Sequence, residues 1–217
     1  MKQSHFDHYL SHAWRLEVHQ KDNHNIIKGE LTALEGTRKV PILGGIPRFV
    51  ESGNYADNFG LQWNAFRSTQ LDSHTRKPLT FNRFWNNTRW KPRDLYGKTV
   101  LEAGSGAGRF TAILAEHASA LYTSDMSRAI EANRANNSDR GNVCFAQADI
   151  YSLPFEAERF DVAVVLGVIQ HTPDPLKAMQ CVASRLKMGG VLCVDFYRLR
   201  LSFVTRFGLH VARWAIR

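Results

Sequence analysis

The second half of the chain reads as a regular alternation of short apolar runs and amphipathic stretches. Thr99-Val100-Leu101-Glu102-Ala103 is an apolar run that ends in glycines, and residues 110–117 behind it have helical character. The pattern repeats with residues 121–124 as a strand, 129–136 as a helix and 143–147 as a third strand. Val162-Ala163-Val164-Val165-Leu166 is continuously apolar, as expected of a strand buried on both faces. Residues 175–186 are predicted as a helix stopped by Gly189-Gly190, with 191–196 as the fifth strand. Strands alternating with helices predict an α/β fold, a parallel sheet with right-handed crossovers.

The first half follows another pattern. Residues 1–28 are polar and rich in histidine, and His5, His8 and His12 would share one helical face. Such a face could bind a metal; a solvated N-terminal segment is the expectation adopted. Short β-like pieces follow up to residue 50, where Val40-Pro41-Ile42-Leu43 meets the turn signal Gly44-Gly45-Ile46-Pro47. Residues 53–97 are dense in aromatics, and Phe59, Trp63 and Phe66 recur at helical spacing on one face. That face is either the underside of a cap packed on the main sheet or a lid over a small-molecule site. The chain thus divides into an N-terminal segment with a small module (1–52), an aromatic helical cap or linker (53–97) and a core (98–217).

Composition narrows the class. With 44% hydrophobic and 22% charged residues, the 217-residue chain is neither collagen-like nor wholly disordered. No apolar run is long enough to span a membrane, and Met1-Lys2-Gln3-Ser4-His5 lacks the apolar core of a secretion signal. Cys144, Cys181 and Cys193 are widely spaced, as expected of reduced core cysteines in a cytoplasmic protein. Of the formal net charge of +8, five units come from arginines in 198–217, a stretch without acids. A basic stripe for nucleic acid over the whole domain is therefore disfavoured.

The candidate chemistry sits where the first strand of the core runs into Glu102-Ala103-Gly104-Ser105-Gly106-Ala107-Gly108-Arg109. A glycine loop between strand and helix lets the backbone approach a nucleotide-like ligand at the carboxyl edge of a sheet. A dinucleotide fingerprint would need glycine at position 109, which is arginine; the glycines stand at 104, 106 and 108. With an acid two residues before the first glycine, the loop resembles motif I of class I S-adenosylmethionine-dependent methyltransferases. Asp125 ends the second strand, where a carboxylate can accept both hydroxyls of a ribose. Asp149-Ile150 follows the third strand and Leu166-Gly167 the fourth, and Val168-Ile169-Gln170-His171-Thr172-Pro173-Asp174-Pro175 resembles the family's segment after that strand. Taken singly, Asp125 and Asp149 could also be helix caps or turn residues.

The resemblance covers residues 98–196, about half the chain. It implies a Rossmann-like parallel sheet and S-adenosylmethionine as cofactor. The residues expected around that cofactor are Glu102, Gly104, Ser105, Gly106, Gly108, Asp125, Met126, Asp149, Ile150 and Leu166. Trp63 is expected over its methionine end, or else in the core of the cap. Upstream, residues 29–50 and the segment Phe59-Gly60-Leu61-Gln62-Trp63-Asn64 resemble a small module and linker that precede some bacterial methyltransferases. Many relatives carry zinc-ribbon cysteines in that module; this chain has none there, so a degenerate module and no metal are expected.

Methyl transfer needs donor and acceptor held in line and, for a hydroxyl acceptor, a place for its proton. His171 is a candidate base by position and chemistry, or alternatively a hydrogen-bonding residue before the next helix. The chain has no Asp/Asn-Pro-Pro-Tyr after the fourth strand and no Pro-Cys pair, which disfavours nucleobase acceptors. A small-molecule or carbohydrate acceptor remains, expected to be methylated on oxygen, with nitrogen or carbon as the alternatives. The alternatives are a non-catalytic cofactor-binding subunit and, on the shared sheet alone, a nicotinamide-dependent oxidoreductase.

The sheet of this family ends in a β-hairpin, for which the 21 residues after Phe196 are too few, so a C-terminally truncated chain is expected. In 198–217, Phe203, Phe207, Val211 and Trp214 form one stripe if helical, with arginines on another face. Packing on the sheet is the expected use of that stripe; contact with an anionic membrane is the alternative.

Overall fold

The structure, a computed structural model, describes residues 1–51 and 71–196. The expectations for Phe59, Trp63, Phe66 and the 198–217 stripe lie outside the described residues. Two sheets organise the molecule. The larger contains β5 (Thr99–Ala103), β6 (Ala120–Asp125), β7 (Val143–Gln147), β8 (Phe160–Val165) and β9 (Leu186–Val194), all parallel, in the order β7-β6-β5-β8-β9. This is the predicted α/β architecture, and the strand order reverses between β5 and β8.

Alternation along each strand splits the core into two layers. Val100, Leu121, Val143, Phe145, Val162 and Val164 face α4 (Arg109–His117) and α5 (Ala129–Asn137), through Phe110, Ile113, Leu114 and Ile130. Their neighbours Leu101, Ala103, Tyr122, Cys144, Ala146, Ala163 and Val165 face the opposite way, towards Ala178 and Val182 of α6 (Pro175–Ala183). In the aromatic zone, α2 (Asp72–Thr75) leads to α3 (Leu79–Thr88), whose first amides, at Thr80 and Phe81, donate to the Asp72 carboxylate. Phe84 of α3 is fully buried against Phe110, so this part of the zone packs as a cap on the α4 layer.

The smaller sheet corrects the expectation of a solvated N-terminus. After α1 (Gln3–Tyr9) come β1 (Trp14–Asp22), β2 (Asn25–Ala33), β3 (Lys39–Leu43) and β4 (Ile46–Pro47), antiparallel in that order. Met1, His5, Phe6, Leu10 and Trp14 are buried, and their hydrophobic cluster is continuous with Tyr122 and Phe160 of the larger sheet and with Phe155 in the β7–β8 connection. Burial holds His5 down at about 4, so it sits neutral against the Tyr122 ring rather than facing solvent. Histidine spacing suggested polarity, but the apolar residues between the histidines decide the burial. The module also meets the edge of the larger sheet at β7. The Phe49 amide donates to the Gln147 carbonyl at 2.8 Å, and the Arg48 guanidinium reaches Glu131 and the Gln147 side chain.

The end of α6 is a second correction. The helix stops at Ala183, and Gly189-Gly190 lie inside β9, which starts at Leu186. A Cβ at Gly190 would crowd the Asp161 and Lys187 carbonyls, so this glycine serves strand packing rather than helix termination.

Candidate functional site

The candidate site occupies the carboxyl edge of the larger sheet, where β5 and β8 diverge and ligands of such sheets bind. On the β5 side the loop 104–108 is drawn tight by two amides, Gly104 and Ser105, which donate to the Ser124 carbonyl at 2.8 and 3.0 Å. Gly104, Gly106 and Gly108 all have positive φ. The first and last are also sterically required. A Cβ at Gly104 would overlap the Val168 side chain, and one at Gly108 would overlap the Asn133 carboxamide.

Beneath the loop lies a polar cluster inside the core. Glu102 and Thr123 are directly paired across β5 and β6. The Glu102 carboxylate accepts from the Thr111 and Thr123 hydroxyls at 2.5 and 2.8 Å. Asn133 in turn donates to both hydroxyl oxygens, and Asn137 donates to the Asn133 side-chain oxygen and to the Gly108 carbonyl. Burial pushes the Glu102 carboxyl up to about 7, against the two hydroxyl hydrogen bonds that favour the charged form. This network ties the strand, the start of α4 and α5 to the underside of the glycine loop.

Asp125 stands at the end of β6. Its Oδ2 accepts from the Gly106 amide at 2.8 Å, and its Oδ1 accepts from the Ser127 amide and hydroxyl. Burial raises its pKa, opposed by those three hydrogen bonds. A carboxylate offers about four lone-pair positions; three are taken, so one on Oδ2 remains. Met126 offers its carbonyl to the Gln147 side chain. Asp149 caps the turn that follows β7, accepting from the Tyr151 amide at 2.9 Å, and Ile150 in that turn is buried. Ser105 is buried, and its hydroxyl has no hydrogen-bond partner among the described residues. An orphaned hydroxyl on a glycine loop, with a carboxylate beside it that keeps one lone pair, fits a polar, ribose-bearing ligand.

On the β8 side, Leu166 is buried and Gly167 turns the chain with φ +75. The Gly167 amide donates to the Asp195 carboxylate beyond β9, and Arg83 of α3 pairs with the same carboxylate at 3.3 Å. His171 is exposed at the end of a short 3₁₀ turn, its amide donating to the Val168 carbonyl. Among the described residues no group of three histidine, cysteine, aspartate or glutamate side chains could hold a metal, and no helix is long and apolar enough to cross a membrane.

The structure therefore gathers Glu102, the glycine loop, Asp125, Asp149 and Leu166 along one edge. Sequence reasoning missed Thr111, Thr123, Asn133 and Asn137 under the loop, and Ser127, Tyr151, Gln170, Asp195 and Arg83 around it. One left a signal: Asp195 follows the fifth strand as Asp125 ends the second.

Comparison with known proteins agrees with this geometry. Residues 101–194 match the family model described as a methyltransferase domain. Over 100 residues the chain is 32% identical to a ubiquinone biosynthesis O-methyltransferase of Coxiella burnetii, covering 45% of this chain and 43% of the relative. A protein of the same name from Haemophilus ducreyi is 29% identical over 126 residues, covering 55% and 52%. The chain thus spans about half the length of the curated relatives it matches. The crystal structure of the PH0226 protein from Pyrococcus horikoshii shares the fold, with a TM-score of 0.54 and 24% identity over 70% of this chain and 69% of that one. By sequence, residues 101–194 are thus similar to a methyltransferase domain, and the structure shares the fold of the Pyrococcus horikoshii protein.

Proposed function

We propose that this protein transfers the methyl group of S-adenosylmethionine to a hydroxyl oxygen of a small-molecule or carbohydrate acceptor. The observation that carries the reading is the Asp125 carboxylate docked on the Gly106 amide at the mouth of the glycine loop. A carboxylate with one lone pair left, beside a glycine loop, supports reading Asp125 as the acceptor for ribose hydroxyls. The O-methyltransferase names of the relatives support oxygen as the receiving atom.

When bound, the cofactor supplies a methyl group on a positively charged sulfur. The chain's own residues bind and orient it. Asp125 accepts the ribose hydroxyls, the second of them once the Ser127 hydroxyl turns aside and frees Oδ1. Asp149 accepts from the adenine amino group, with Ile150 against the ring, and Ser105 and the Leu166 carbonyl hold the amino-acid end. Glu102 acts through the loop: its bonds to Thr111 and Thr123 make it a positioning residue. His171, exposed on the acceptor side, takes the hydroxyl proton on an imidazole nitrogen.

The test is transfer of a labelled methyl group from S-adenosylmethionine to a panel of phenols and sugars, with the product located by mass spectrometry. A new methoxy group is expected, formed more slowly by His171→Ala. Label on nitrogen or carbon, or no transfer by protein that binds the cofactor, contradicts the reading; the second result would favour a cofactor-binding subunit.

A further inference from the structure

The segment between β8 and α6 is held at three points. The Gly167 amide is bonded to Asp195, and the Val168 side chain fills the space over Gly104. At the far end the Tyr151 hydroxyl donates to the Asp174 carbonyl at 3.0 Å and accepts from the Asp174 amide at 2.7 Å. Asp174 also caps α6 through the Lys177 amide. In the middle of this pinned segment sits Gln170. Both its Nε2 and its Oε1 are shut off from solvent, and neither has a hydrogen-bond partner among the described residues.

A buried carboxamide left unpaired at both ends is costly, and such groups are rare in folded proteins. Backbone anchored on either side has little freedom to carry the amide to a partner within the protein. We infer that the partner is the methyl acceptor: Gln170 is a specificity residue that reads a pair of neighbouring hydroxyls on it. The inference rests on the methyltransferase reading above. Its chemistry follows from the amide itself. A carboxamide is neutral, with a donor and an acceptor side by side. One hydroxyl can accept from Nε2 while its neighbour donates to Oε1. A carboxylate or phosphate would use only the donor, and an ammonium only the acceptor. The location agrees, because Gln170 follows β8, the strand beside β5, and Val168 two residues before it packs over Gly104 of the glycine loop.

A hydroxyl pair occurs on aromatic diols and on sugars, so the test uses both. The protein is first saturated with S-adenosylhomocysteine, then titrated by calorimetry with catechol, methyl α-mannoside, and the single-hydroxyl controls phenol and cyclohexanol. Wild-type protein is expected to bind one of the two diols at least tenfold more tightly than its control. Gln170→Leu and Gln170→Met are expected to lose that preference while keeping cofactor-product affinity and a melting temperature no lower than wild type. Three results overturn the inference: neither diol binds the wild-type complex, the variants keep the preference, or both variants melt lower and bind S-adenosylhomocysteine more weakly. The last would show that the amide's role is structural. Failure of wild-type protein to bind S-adenosylhomocysteine would instead remove the methyltransferase reading itself, and this inference with it.

Discussion

Below the glycine loop, polar groups inside the core are matched to one another: Glu102 to Thr111 and Thr123, both hydroxyls to Asn133, and Asn133 to Asn137. Across the crevice, after β8, the buried amide of Gln170 has no match. One lies under the loop that follows β5 and the other follows β8, the strand beside it, and both are polar where the surrounding sheet is apolar. The difference separates two tasks. The β5–β6 side must present one loop shape to one cofactor, so its polar groups fix the protein to itself. The β8 side must recognise whatever is to be methylated, so its polar group is left for the ligand. A matched buried network adds rigidity, whereas an unmatched group costs stability until something binds.

The comparison breaks most visibly at Gly108. An added methyl there meets the Asn133 carboxamide, and the left-handed backbone strains any other residue. Gly108→Ala is expected to cost about 3–4 kcal/mol in urea denaturation. A loss below about 1 kcal/mol would mean that the loop and the network under it are not rigidly joined.

Glu102 gives the next largest effect, through pH. Its carboxyl is held at about 7, mainly by burial, against an ordinary 4.5. Below the lower value both folded and unfolded chains carry the proton, and above the higher value neither does. Between them the folded protein holds a proton that the unfolded chain has lost, so stability falls as pH rises, by roughly 3 kcal/mol across that window. Glu102→Gln keeps an oxygen for Thr111 and Thr123 but cannot titrate. Its stability should lack this fall between pH 4.5 and 7; an unchanged slope in denaturation curves would assign the pH dependence to other groups.

Tyr151→Phe sharpens the other side of the comparison with the smallest effect. It removes the hydroxyl that ties Asp174 to the turn after β7, at an expected cost of about 1 kcal/mol. Amide exchange should speed up across residues 168–174 while β5 and β6 stay protected. Uniform acceleration would show that the segment is not held separately.

What could be read from sequence followed physical period. The strands of the parallel sheet were legible because burial on both faces makes them continuously apolar, as in β7 and β8. The glycine loop was legible because positive φ and close packing leave glycine as the residue that fits. Asp125 and Asp149 followed from where the strands end. The later strands of the N-terminal sheet were legible from their turn signal, but β1 was hidden because it is mostly exposed and reads as polar, and α1 because it buries its apolar residues between histidines. Gly189-Gly190 misled because a double glycine signals a helix stop more often than a strand interior. Gln170 was invisible for another reason. Nothing in a sequence distinguishes a glutamine in solvent from one whose amide is buried without a partner.

The central claim is a cofactor site organised before the cofactor arrives, with Asp125 as its ribose anchor. Calorimetric titration of wild-type protein and Asp125→Ala with S-adenosylhomocysteine tests it directly. The account predicts binding of one equivalent by wild type and a loss of roughly 1.5–3 kcal/mol in the variant, the range for a hydrogen bond to a charged group. Absence of binding by well-folded wild-type protein, or equal affinity in both proteins, would contradict it.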